Sequence, residues 1–484
     1  MNTEALVQAL QQEREESERL RHELASAHQV IAQLTTRLDR LEGQKAKDSH
    51  NSSKPPSSDG LKGPVHKTKS LRGKSGKRSG GQAGHQGRTL MMVETPQTLI
   101  ALAPERCEQC QQSLDTQQVM REERAQVWDL PPMHIEVTEY CAQVKVCPGC
   151  QTETRAAFPM GVKAAAVQYG PMIRAWAVYL QCWHLLPYAR TCQILSELLG
   201  TSFSQASLQT ALQEGSEHLD LALSLMKAGL INGAVLHNDE TGFRVAGQRW
   251  WMHVASTTQL TWYEAHRNRG PKATDAIDIL PRFQGVSVHD SLVSYLQYGC
   301  QHAPCNAHYL RELTFVQEQY HQDWAMQMKA LLVEIKAEVA RAREQGMHHL
   351  SAERRGAYET RYEHIVMHAL AAHPPPERLA GTRGRPPRGD EVRNLLCRLR
   401  DYQPMILRFL HQFEVPFDNN LAEQDLRMMK VQQKVSGSFR TSEGAIIFCR
   451  LRSYLSTLRK QGVHLLTALH HVFLGSPLLP SLGG

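Results

Sequence analysis

The hydrophobic positions over residues 4–43 recur with alternating spacings of three and four. Nine of the eleven inward positions are apolar; the eleven are Leu6, Leu10, Glu13, Ser17, Leu20, Leu24, Ala27, Ile31, Leu34, Leu38 and Leu41. This spacing is typical of a coiled-coil seam, and it predicts a dimerisation helix over residues 1–45. A single amphipathic helix packed on its own protein is the alternative interpretation.

The periodic pattern stops at Gly43, and residues 46–95 are rich in Ser, Pro, Gly and basic residues. Such a composition cannot bury a hydrophobic core. From Lys54 to Arg88 nine Lys or Arg residues oppose one acid, Asp59, which gives a local charge of +8. The segment is therefore predicted to be a flexible tether that also contacts DNA phosphates, a plain linker being the alternative.

Residues 100–155 carry two Cys-x-x-Cys pairs, Cys107 with Cys110 and Cys147 with Cys150, separated by 36 residues. Four thiolates in such pairs suit one tetrahedral Zn²⁺, so the sequence predicts a structural zinc module. Strands are expected between the pairs, at residues 125–128, 135–138 and 141–146. Because four thiolates would close the site, catalysis is not expected there.

The sequence pattern over residues 165–225 predicts helices at residues 171–182, 188–199 and 204–214. Gly200 separates the last two helices, and Ser204 is a favourable N-cap. The helix after Ser204 has a polar outer face and resembles a DNA recognition helix. Helical pairs are also common in proteins that do not read DNA.

Beyond residue 230 the pattern predicts a mixed α/β sheet. Strands are expected at residues 234–239, 249–256 and 259–265, followed by a helix from Pro271 and a strand that ends at Asp290. Asp239 ends the first of these strands. Residues 314–412 are mostly helical in pattern, and Glu423 lies in a further helix-type segment.

Asp239, Asp290 and Glu423 are the candidate metal ligands. Mg²⁺ prefers oxygen ligands in a fixed geometry, which strand ends provide. Two such ions can hold the attacking and leaving oxygens of a displacement at phosphorus. Converging carboxylates from two strands and a helix thus suit phosphoryl transfer on a nucleic-acid backbone.

The sequence around these acids resembles the IS66 family of transposases. The matching residues are Asp239-Glu240-Thr241, Asp290 with Tyr295, Cys305-Asn306-Ala307-His308 with Arg311, and Asn419-Asn420 through Glu423 to Arg427. The resemblance implies a ribonuclease H-like DDE domain over residues 230–465, with a helical insertion at about 315–412 and Mg²⁺ or Mn²⁺ as cofactor. It also implies that Asp239, Asp290 and Glu423 are the three catalytic acids.

Further polar residues near these acids are expected to support the site or to hold phosphates. They are His308, Arg311, Asn420, Arg427, Lys430 and Arg440. Arg427 lies one helical turn beyond Glu423 on the same face. A second zinc site formed by Cys305 and His308 with Cys300 and His302 is the alternative for that part of the chain.

The composition adds limits to this picture. The 484 residues suggest three or four domains followed by a tail at 466–484, and the net charge is +7. No apolar run reaches the roughly 18–20 residues that cross a bilayer, and the acidic N-terminus does not resemble a signal peptide. We therefore expect a cytoplasmic, nucleoid-associated bacterial protein without a membrane partner, whose 11 cysteines serve metal binding or burial.

The favoured hypothesis is a transposase that cleaves DNA at the terminal repeats of its element and joins the freed end to target DNA. Accessory proteins of the same element are possible partners. A DNA-binding zinc protein without catalysis and a metal-dependent nuclease without strand transfer are the alternatives.

Overall fold

The structure is a computed structural model that describes residues 13–14, 16–28, 30–31, 34, 38, 47, 51, 90–130, 135–159, 161–375 and 391–482. The chain divides into two compact units. One contains residues 67–139 and 197–201, and the other contains residues 1–66, 140–196 and 202–484. Helices and a mixed sheet confirm the α+β class.

Residues 16–28 are helical, as the periodic pattern predicts. Five seam residues are more than half exposed in the single chain; they are Leu20, Leu24, Ile31, Leu34 and Leu38. Dimerisation through this seam stays a prediction. Leu6, Leu10 and Leu41, and residues 52–89 of the predicted tether, lie outside the described residues.

The prediction of strands between the cysteine pairs is wrong for two of the three segments. Residues 125–128 and 135–138 form no strand, and Val127 and Val137 are each 89% exposed. Branched side chains favour a strand only where a partner strand and a core are available. The third expected strand is shorter than predicted: β1 (Val144–Val146) pairs antiparallel with β2 (Glu153–Arg155).

Within the described residues 161–234, four α-helices lead up to the main sheet. They are α1 (Pro171–Val178), α2 (Tyr188–Leu199), α3 (Gln205–Glu217) and α4 (Asp220–Ile231). The first helix continues as a π-helical segment at Tyr179–Trp183, where an α-helix to residue 182 was expected. The side chain of Ser204 accepts a hydrogen bond from the Ser207 N–H, which confirms the predicted N-cap.

The main sheet has five strands in the order β5-β4-β3-β6-β7. They are β3 (Val235–Val245), β4 (Gln248–Ser256), β5 (Thr261–His266), β6 (Val286–His289) and β7 (Gln301–Pro304). The first three strands are antiparallel neighbours, whereas β6 is parallel to β3 and β7 is parallel to β6. Helix α5 (Pro271–Ile277) connects β5 to β6, as predicted.

The expectation that the first strand ends at Asp239 is wrong, and β7 was not anticipated. Pairing with β4 continues from Asp239 to Val245, and the chain then turns through Ala246 and Gly247. Both turn residues have positive φ, 49° and 77°, which suits a two-residue hairpin turn. Asp239 therefore lies inside a strand, where it pairs with β4 and lies two residues beyond the last residue paired with β6, His237.

The expected helical stretch is confirmed and has its own hydrophobic core. It contains α6 (Asn306–Tyr320), α7 (Asp323–Glu344), α8 (Ala352–Ala372), α9 (Glu391–Asp401), α10 (Gln403–Ile406) and α11 (Arg408–His411). Three helices then return to the rest of the unit. They are α12 (Asn420–Ser436), which packs on β3 and β4, α13 (Ser442–Lys460), which packs on β5, and α14 (Leu465–Phe473), which packs on α1.

The segment expected to be a tail thus begins with a packed helix. Among the described helices, none is long and apolar enough to cross a membrane.

Candidate active site

Asp239 and Asp290 come together because β3 and β6 are parallel neighbours. In their register His237 lies opposite Val288, and continuing it by two residues brings Asp239 level with Asp290. Asp290 directly follows β6, and one of its carboxylate oxygens accepts a hydrogen bond from the Leu292 N–H at 3.2 Å. The two acids therefore lie on the same side of the sheet.

Glu423 reaches this side because the start of α12 is fastened to β3. The buried Asn419 donates from Nδ2 to the Asn238 carbonyl at 2.9 Å, and its Oδ1 lies 2.9 Å from Nδ1 of His237. Further along the helix, Nζ of Lys430 donates to the Gly242 carbonyl at 3.0 Å. These bonds fix the first turn of α12, which carries Glu423.

The three carboxylates are close enough for their charges to interact. Burial raises the pKa of Asp239 well above its usual range, and the charges of Glu240, Asp290 and Glu423 raise it further. Its Oδ1 accepts the Glu240 N–H at 2.8 Å, and Oε1 of Glu423 is buried without a hydrogen-bond partner among the described residues. Such a group of oxygen ligands fits a hard divalent cation.

A second network lies behind these acids, and sequence reasoning missed its organisation. The Glu240 side chain has no exposed surface. It accepts a hydrogen bond from the Tyr295 hydroxyl at 2.5 Å and another from Nε of Arg269 at 2.7 Å. Nη2 of Arg269 also lies 3.9 Å from Oδ2 of Asp290. The alternation of side chains along a strand could have revealed this network, because Asp239 and Glu240 are consecutive and must point to opposite sides of the sheet.

We call the side with Asp239, Asp290 and Glu423 the carboxylate face, and the side with Glu240, Arg269 and Tyr295 the arginine face. Burial raises the pKa of Glu240, the nearby Asp290 raises it further, and the bonds from Tyr295 and Arg269 oppose this rise. Arg269 thus neutralises Glu240 and also contacts Asp290, whereas Asp239 and Glu423 have no Lys or Arg ion-pair partner among the described residues.

His308 belongs to the carboxylate face. It lies in the first turn of α6, with Nε2 3.8 Å from Oε1 of Glu423. The ligand atoms of Cys305, His308 and Glu423 all lie within 4.8 Å of one another.

Cys300 and His302 do not join this group among the described residues. Instead, the side chain of His302 contacts His289, Cys300 and the Tyr298 carbonyl. The four-residue zinc site weighed as an alternative is therefore wrong.

The other predicted supporting residues lie near the same helix. Asn420 and Arg427 are exposed on α12, and Arg440 is exposed between α12 and α13. Arg311 is half-buried in α6. Because the Lys430 amine donates to a β3 carbonyl, this residue also has a structural use. Phosphate binding by these residues stays a prediction.

The first cysteine pair forms a tight turn in its own unit. The Gln111 N–H donates to the Cys107 carbonyl at 2.9 Å, and the Cys107 N–H donates to the Gln112 carbonyl at 2.9 Å. Gln111 has a φ of 62°. Hydrogen bonding from the Cys110 backbone lowers the pKa of the Cys107 thiol, which favours the thiolate that metals bind.

The second pair has the same local conformation in the other unit. The Gln151 N–H donates to the Cys147 carbonyl at 2.9 Å, and Gln151 has a φ of 59°. A hydrogen bond from the Thr152 hydroxyl lowers the pKa of the Cys150 thiol. Each pair thus has the backbone turn that a metal knuckle requires, and joint zinc binding stays a prediction.

The grouped carboxylates beside the mixed sheet provide the oxygen ligands that hard divalent cations prefer. A profile of the family described as Transposase IS66 family matches residues 166–446, more than half of the chain. The chain belongs to the IS66 family of transposases, as its sequence motifs indicated. It is thus a DNA-processing enzyme of a family that uses divalent metals.

Residues 3–90 match a family of unknown function, DUF6444. No curated protein matches the sequence.

Proposed function

We propose that the protein is the transposase of an insertion sequence, with Asp239, Asp290 and Glu423 as its catalytic acids. The convergence of these carboxylates on one face of the sheet carries the proposal. The sheet supports a ribonuclease H-like core, because three successive antiparallel strands are followed by two strands that run parallel to the first. The helical insertion between β7 and α12 separates the second acid from the third.

The residues of the site have distinct tasks in this proposal. Asp239 and Asp290 are held by paired strands, and Glu423 is held by the Asn419 contacts to β3. Divalent cations bound by these acids would supply Lewis-acid stabilisation of the phosphate under attack. The cationic residues Arg311, Arg427, Lys430 and Arg440, together with Asn420, bind the flanking phosphates, because such contacts position DNA without reading its sequence.

The remaining parts deliver DNA to this site. The cysteine pairs form a structural zinc module, the basic tether binds phosphates, and α3 reads sequence at the terminal repeats. The apolar seam of the N-terminal helix forms a homodimer that brings two element ends together. Five seam residues are exposed in the single chain, which supports this assignment. In a coiled coil such residues become buried when a second helix packs against them.

A strand-cleavage and strand-transfer assay tests the proposal. Asp239→Asn, Asp290→Asn and Glu423→Gln should each lose Mg²⁺-dependent cleavage of end-containing DNA and joining of a pre-cleaved end. The loss should be at least about 10²–10³-fold, the scale for removing one pre-organised charge from an active site. Asp323→Asn and Glu414→Gln are matched controls at exposed acids and should keep both activities.

The outcomes also separate the alternatives. Full activity in any triad variant removes that residue from the mechanism. Cleavage without joining identifies a nuclease, and DNA binding without either reaction identifies a non-catalytic zinc protein.

A further inference from the structure

The first turns of α6 and α12 bring the His308 imidazole close to an unsatisfied carboxylate oxygen. Nε2 of His308 lies 3.8 Å from Oε1 of Glu423. That oxygen is buried without a hydrogen-bond partner among the described residues. Buried polar atoms normally have a partner, so the Glu423 oxygen invites a missing ligand.

The spacing of the pair suits a shared cation better than a hydrogen bond. At 3.8 Å the two atoms are beyond hydrogen-bonding range. Two ligands with metal bonds of about 2.1 Å are at most about 4.2 Å apart. The observed distance is shorter than this limit, so one cation can contact both atoms.

Cys305 is less suited to the same cation. Its side chain is fully buried, and its sulfur accepts the Asn419 N–H at 3.2 Å. Sulfur is a soft ligand, whereas hard divalent cations prefer oxygen. We therefore assign Cys305 to packing beneath α12.

We propose that Nε2 of His308 is a nitrogen ligand of a divalent cation shared with Glu423. The proposal deepens the proposed function and rests on it for the presence of that cation. A mixed nitrogen and oxygen site discriminates between metals. Mg²⁺ strongly prefers oxygen, whereas first-row transition ions such as Mn²⁺ accept imidazole more readily. The site should therefore bind Mn²⁺ more tightly than Mg²⁺.

Pulsed electron paramagnetic resonance of the full-length protein loaded with Mn²⁺ tests this directly. We expect a ¹⁴N coupling to the manganese that is replaced by a ¹⁵N coupling when the histidines are labelled. His308→Ala and His308→Gln should both lose it. In titrations the Mn²⁺ dissociation constant should rise about 10–100-fold in these variants, and the Mg²⁺ constant should rise less.

Three further variants make the result specific. His364→Ala removes an exposed histidine on α8 and should change nothing. Cys305→Ser should keep the nitrogen coupling, whereas Glu423→Gln should lose it together with tight Mn²⁺ binding.

Bound Mn²⁺ without nitrogen coupling in the wild type overturns the proposal, and so does coupling that persists without His308. Loss of the bound ion in Cys305→Ser also overturns it, because the thiol would then be the ligand. Nitrogen-coupled Mn²⁺ in a protein that cleaves no DNA would reject the proposed function alone. Cleavage by a protein without that coupling would reject only the role of His308.

Discussion

Asp239 and Glu240 are neighbours in sequence, yet the two faces of β3 give them opposite surroundings. On the arginine face, Glu240 accepts bonds from Arg269 and Tyr295 and has no exposed surface. On the carboxylate face, Asp239 accepts a hydrogen bond only from the neighbouring backbone N–H among the described residues, while three other acids raise its pKa. One acid is neutralised inside the protein, and the other is left for a cation from outside.

In the proposed function this difference distinguishes a structural acid, Glu240, from a reactive one, Asp239. A buried carboxylate with a guanidinium and a hydroxyl partner has little capacity left for a metal. A buried carboxylate surrounded by other carboxylates destabilises the metal-free protein and binds cations strongly. Residue type alone does not separate the two cases, because both positions are acidic.

The largest expected effect is on DNA cleavage. Asp239→Asn should lower the Mg²⁺-dependent rate by at least about 10²–10³-fold, because it removes a charge at the reaction centre. Glu240→Gln should lower it by only about 10–100-fold, the range for residues that orient a metal ligand. Single-turnover cleavage rates of the two variants, side by side, measure the contrast. Equal losses would contradict the division between the faces.

Divalent cations should stabilise the wild type and not Asp239→Asn. At a concentration 100 times the dissociation constant, a bound cation adds about 2.7 kcal/mol to the free energy of unfolding. Thermal unfolding with Mg²⁺ and with a chelator measures this shift. A variant that responds to Mg²⁺ as the wild type does would show that Asp239 holds no cation.

Thermal unfolding in the presence of the chelator should also show that the stability of the protein depends on pH. Because the pKa of Asp239 is raised on folding, the folded state keeps a proton that the unfolded state releases. The wild type should lose stability as the pH rises above about 3.9, the ordinary aspartate pKa, towards the raised value. Asp239→Asn should lack this part of the decline and should be the more stable protein at neutral pH. The opposite order would contradict the raised pKa of Asp239.

Arg269→Ala tests the arginine face and should lower stability by about 1–3 kcal/mol at neutral pH, because it removes a partner of the buried Glu240. The pKa of Glu240 should then rise further, so the loss should grow as the pH increases. Urea unfolding at several pH values measures it. Arg267→Ala, at an exposed neighbouring arginine, is the control; equal losses in both variants would argue against the Glu240 contact.

The smallest expected effect comes from Tyr295→Phe. The change removes the hydroxyl bonded to Glu240 and leaves the ring, so it should cost about 0.5–1.5 kcal/mol with little change in cleavage. Tyr298→Phe loses an exposed hydrogen bond to Asp275 and should cost less. A greater loss at Tyr298 would place the more important contact outside the arginine face.

Much of the catalytic region was predictable, because its signals are local. The periodicity predicted α2 and α3, the hairpin strands and the helical stretch. The motifs around Asp239, Asp290 and Glu423 indicated the IS66 family, which the family match confirms. Local signals failed where pairing decides. Branched residues near Val127 and Val137 form no strand, and β3 runs past Asp239 because β4 continues beside it.

The sequence by itself determined which residue types stand at the strand ends and helix starts, since propensity, capping and hydrophobic period act over a few neighbouring residues. Only the tertiary structure decided that Glu240 pairs with Arg269, while Asp239 lies near Asp290 and Glu423. Glu240 and Arg269 are 29 positions apart along the chain, and the contact of His237 with Asn419, which fastens the start of α12 to β3, joins residues 182 positions apart. Their charges and burial depend on strand register and helix packing, which no short segment of sequence specifies.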